Sequence, residues 1–171
     1  MSRNKRPRKA YRPRPVTADT MALALHHAAK PAQQDRAEVL GILRAAIGSL
    51  CAGTGSEQDW SITAGSVSVA QAIEQQGIVR GLAGHLAAAE LALQAIYDRC
   101  ARAQGRIWLR PTLTLAEIDA LRLLLQLHSY QVHQLGRAEL LAAMATAKQA
   151  TVAAGHTATL ADDLAPLREA A

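Results

Sequence analysis

Between Leu82 and Cys100 the apolar side chains fall at Leu82, Leu86, Ala89, Leu93, Ile96 and Cys100. Steps of three and four residues place them on one side of an α-helix and on no single face of a strand. The period recurs at Val39, Leu40, Leu43, Ala46, Ile47 and Leu50, and again at Ile118, Leu121, Leu125, His128, Val132 and Leu135. The side-chain palette agrees with it. Alanine (37 residues) and leucine (23) dominate, there is no Phe, and the aromatics are Tyr11, Trp60, Tyr97, Trp108 and Tyr130. Strands prefer β-branched and aromatic side chains, whereas Ala and Leu stand at the top of the helix scale. An all-α fold is therefore expected. With 50% hydrophobic and 19% charged residues in a chain of 171, there is apolar material for one packed domain and too much for a chain disordered throughout.

Local signals set the expected boundaries. A first helix is predicted over 17–29, with Thr17 as N-cap and Pro31 as its stop. A second covers 33–50 and ends at Gly53 and Gly55. Ser56 followed by Asp59 resembles a capping box and opens a third helix to about residue 76. Its apolar stripe is Trp60, Ala64, Val67 and Ala70, and Gly77 either breaks it or lets it continue. The 82–100 stripe extends to about residue 104, and a connector around Trp108, Arg110 and Pro111 follows. Thr114 and Glu117 form a second capping box and start a helix that runs to Leu135. Gly136 kinks or ends it before a stretch over 138–153 with Leu140, Met144 and Ala147 in phase. The expected architecture is a bundle of four to five helices with a long antiparallel hairpin across the Trp108 connector. The helical domain spans 17–155, and 156–171 is a frayed C-terminal tail. No internal repeat is visible.

Charge divides the chain differently. Residues 1–16 hold Arg3, Lys5, Arg6, Arg8, Lys9, Arg12 and Arg14 and no acid, whereas residues 17–171 hold twelve basic and fourteen acidic side chains. The net charge of +5 is thus an arm of +7 on a body of −2. Arg12-Pro13-Arg14-Pro15 favours extended backbone, so the arm is expected to be disordered. Such a block fits nucleic acid, another polyanion or an acidic protein face, without choosing among them. If all seven charges met DNA phosphates, the log–log salt slope would approach about −6. Tyr11 is the arm's one stacking side chain. Arginine outnumbers lysine fifteen to four. That suits bidentate phosphate binding, and a GC-rich genome produces the same bias.

Two further groups offer surfaces. Arg99, Arg102 and Arg106 share nearly one helix face, with Arg110 and Trp108 close by in sequence. They are a candidate phosphate patch, Arg102 and Arg106 above all, or cations complementing a helix C-terminus around a Trp that anchors the loop. Gly77, Gly81, Gly84 and Ala88 follow helical spacing. Either they are a close helix–helix or dimer contact, with the three glycines as protein-contact residues, or Gly77 and Gly81 mark a loop between two helices.

Nothing in the sequence names a catalytic centre. Gly53-Thr54-Gly55-Ser56 lacks the lysine and spacing of a phosphate-binding loop, and Ala64-Gly65-Ser66-Val67-Ser68 is not a nucleophile elbow. His26 and His27 are adjacent, His128 and His133 are five apart, and His85 and His156 stand alone, so no metal site is expected. Cys51 and Cys100 read as small buried residues in a reducing compartment. No run of eighteen apolar residues exists, and His26-His27 interrupts the stretch after Met21. A cytoplasmic protein without cofactor and without a membrane partner is expected.

The stretch Lys9-Ala10-Tyr11-Arg12-Pro13-Arg14-Pro15-Val16 before a small Ala-rich helical body, together with Ala72-Ile73-Glu74-Gln75-Gln76-Gly77, resembles uncharacterised small proteins encoded by bacteriophages and prophages of proteobacteria. The resemblance implies a mobile-element origin, where small non-enzymatic proteins bind DNA, the host transcription machinery or host defence complexes. Two expectations follow. The first is a non-enzymatic accessory protein whose arm contacts nucleic acid or a nucleic-acid-bound complex, through Arg6, Arg8, Arg12 and Arg14 in particular. The second is a helical inhibitor or adaptor of a host protein, or a homo-oligomeric scaffold such as a homodimer, acting through the body.

Overall fold

The protein is described here from a computed structural model, which describes residues 29, 33–101 and 108–154. Within them are five α-helices and no strand: α1 (Gln33–Cys51), α2 (Glu57–Gln75), α3 (Ala83–Cys100), α4 (Leu115–Gln134) and α5 (Arg137–Ala153). The predicted 1–16 arm, the 17–29 helix up to Ala28, Arg102, Arg106 and the C-terminal tail lie outside the described residues.

Each helix boundary has a local cause. Ser56 Oγ accepts from the Asp59 backbone N–H at 3.2 Å, and Asp59 Oδ2 accepts from the Ser56 N–H at 2.8 Å. The short Asp thus closes the box that Glu or Gln usually closes. Thr114 and Glu117 repeat the arrangement at the start of α4, at 3.3 and 2.8 Å. At the end of α1, Gly53 takes φ +72°, while the Thr54 N–H reaches the Ser49 carbonyl and the Gly53 N–H that of Leu50. These two bonds make a Schellman end, and the left-handed turn favours glycine there. Gly77 and Gly81 also have positive φ, at 78° and 89°, so the chain breaks at Gly77 and turns into α3. It breaks again at Gly136, whose N–H donates to Glu139 Oε2 at 2.7 Å.

α1 packs on α2, α2 on α3, α3 on α4 and α4 back on α1, which closes an up-down-up-down four-helix bundle. The predicted pairing of the two helices flanking the Trp108 connector is present as α3 against α4. At one end Trp108 Nε1 donates to the Gly55 carbonyl at 3.0 Å and ties the two connectors together. At the other end the Arg137 N–H donates to the Ala29 carbonyl at 2.9 Å, joining the entry to α1 with the start of α5. α5 then lies along α2, and the Gln76 side chain donates to the Glu139 carbonyl at 3.1 Å.

α2 therefore touches every other helix. Its residues suit that place. Thr63, Ala70 and Ile73 are fully buried, Val67 and Ala70 face the bundle interior with Leu43, Leu50, Ile96 and Leu121, and Val69, Ala72 and Ile73 face Leu140, Ala143 and Ala147. Small side chains let neighbouring axes approach closely on both sides. The hydroxyls of Thr63, Ser66 and Ser68 donate to the carbonyls four residues earlier, at 2.8, 2.9 and 3.3 Å. Those three hydroxyls therefore need no partner outside the helix.

Candidate functional site

The end of the bundle that carries Trp108 gathers the features singled out by sequence. The last turn of α3 sets Tyr97 toward the first turn of α2, where Trp60 lies with ring centroids 4.7 Å apart. Trp108 completes the group at 6.4 Å from Trp60 and 6.2 Å from Tyr97, with the planes tilted by 39–50°. Three of the five aromatics thus pack on one another. Trp60 Nε1 donates to the Leu93 carbonyl at 2.8 Å. Both indole N–H groups are consumed inside the fold, and rings this close leave no room for a cation between them. The cluster is a knot that locks α2, α3 and the two connectors, and Trp108 is the loop anchor.

Arg99 belongs to the same end and is also committed. Its guanidinium meets Glu117 with two parallel hydrogen bonds of 2.8 Å and reaches the Thr112 carbonyl at 3.3 Å. The fork joins the end of α3 to the start of α4. Burial opposes ionisation of Glu117, but hydrogen bonds from Arg99 and Thr114 outweigh it and hold the carboxyl below its usual range. The hydrogen bond to Glu117 in turn raises Arg99. Of the candidate patch, Arg99 is therefore neutralised in place and Arg110 is exposed. Arg102 and Arg106 lie in the segment outside the described residues.

The glycines separate as well. Gly77 and Gly81 occupy the turn between α2 and α3, so the loop alternative applies to them and the three do not share a helix face. Gly84 alone stands on α3, exposed, with open space where a side chain would sit. Arg80 folds back over the turn, its Nε donating to the Gly77 carbonyl at 2.9 Å.

Three roles were not legible in advance. Glu74, near the end of α2, accepts the Gly81 and Leu82 backbone N–H groups at 3.0 and 2.8 Å. It caps α3, whose own N-cap residue Leu82 offers no side-chain bond. Gln131 on α4 is fully buried and donates to the Ala70 carbonyl of α2 at 2.9 Å, a cross-link between diagonal helices. His128 is buried beside it, with Nδ1 3.4 Å from Gln131 Oε1. Because the Gln131 amide nitrogen is spent on Ala70, its oxygen faces the ring, and the neutral imidazole carries its proton on Nδ1. Burial pushes His128 down to about 4. Sequence alone places all three on helices; only the partner helices reveal what they do.

The cysteine thiols are both free, and burial raises each above its ordinary value. Neither is set up as a thiolate nucleophile. Among the described residues no three metal-ligating side chains converge, and no helix is long and apolar enough to cross a membrane. On the outward surface of α3 Leu91 is 71% exposed, and Gly84, Ala87 and Ala88 are exposed beside it. Comparison with family models, curated proteins and solved structures found no match to this chain.

Proposed function

We propose that the chain is a non-enzymatic accessory binding protein of the kind carried by mobile elements. Its basic arm, residues 1–16, contacts nucleic acid or a nucleic-acid-bound complex, and the helical bundle holds that arm. The observation that carries this reading is the segregation of charge: seven cations and no acid in sixteen residues, against a slightly acidic remainder. The bundle itself supports the division of labour. Its Arg99 is spent on Glu117, and Trp60, Tyr97 and Trp108 are spent on one another. Thr63, Ser66 and Gln131, buried inside it, bond to backbone.

Deleting residues 1–16 tests the proposal. The truncated protein is expected to keep its helical spectrum and its melting temperature and to lose binding to a duplex or single-stranded oligonucleotide. The full chain is expected to show a salt slope approaching about −6. Binding that survives the deletion with the same salt slope overturns the proposal.

A further inference from the structure

We draw no further inference here: the strongest candidate, the outward surface patch of α3 formed by Gly84, Ala87, Ala88 and Leu91, is a stripe of mostly small residues interrupted by the exposed side chains of His85, Glu90 and Gln94, and nothing in the structure shows what covers it.

Discussion

His128 shows how far one residue's surroundings can move its chemistry. A solvated imidazole gains its proton near pH 6.5, and this one near 4. Between those values the unfolded chain binds more protons than the folded one, so stability rises with pH across the window. The full contribution is present above pH 6.5 and is lost as pH falls toward 4, amounting to about 3 kcal/mol at most. Urea melts at pH 7, 5.5 and 4.5 are expected to show this decline. His128→Leu is expected to be less stable at pH 7 by about 1–3 kcal/mol, because Gln131 Oε1 loses its donor, and to show a flatter profile between pH 6.5 and 4.5. A profile as steep as the wild type's would place the titrating group elsewhere. Glu117 acts lower on the scale. Its carboxyl is held below the usual value, so its contribution is present above about pH 4.5 and disappears as pH falls through the lowered value. Glu117→Ala breaks the Arg99 fork and the α4 cap together. The expected loss at pH 7 is about 1–3 kcal/mol, set by the cap and by an ion pair whose Arg side chain is 42% exposed.

Among the helices, α2 and α3 depend on each other through Glu74. Glu74→Ala leaves the first turn of α3 without its acceptor and is expected to cost about 1–2 kcal/mol. Amide exchange should rise first in residues 81–86, and an even rise across the whole bundle would argue against a local cap. α2 is constrained by size. Ala70 is fully buried with its carbonyl bonded to Gln131, so Ala70→Leu is expected to cost about 1–3 kcal/mol or more, read as a fall in melting temperature. Much of this level is written locally in the chain. The Ser56–Asp59 and Thr114–Glu117 boxes and the stripe from Leu82 to Cys100 all stand where spacing and cap chemistry predict them. The stripe Trp60, Ala64, Val67, Ala70 marks only half of what α2 buries, because α5 covers the other side with Val69, Ala72 and Ile73. A helix contacted on opposite faces loses the single apolar face that periodicity detects. Spacing alone leaves the glycine series open between a contact face and a loop, because it does not report φ; Gly77 and Gly81 sit at positive values in a turn.

At the scale of the whole molecule, α1, α3, α4 and α5 form a sheath around α2. The bundle's two ends are tied by different chemistry, an aromatic knot at Trp108 and backbone bonds near Ala29 and Gln76. The candidate binding residues were legible only as charge, since the arm's cations lie outside the described residues and its partner is a property of another molecule. The enclosure of α2 has a consequence for how the protein breathes. Terminal turns of α1, α3, α4 and α5 can fray one at a time, but the backbone amides from Ser66 to Ile73 reach water only when several neighbours depart at once. Their deuterium uptake is expected to follow the free energy of complete unfolding. That makes this short, alanine- and serine-bearing segment, rather than the leucine-rich helices around it, the slowest clock in the chain.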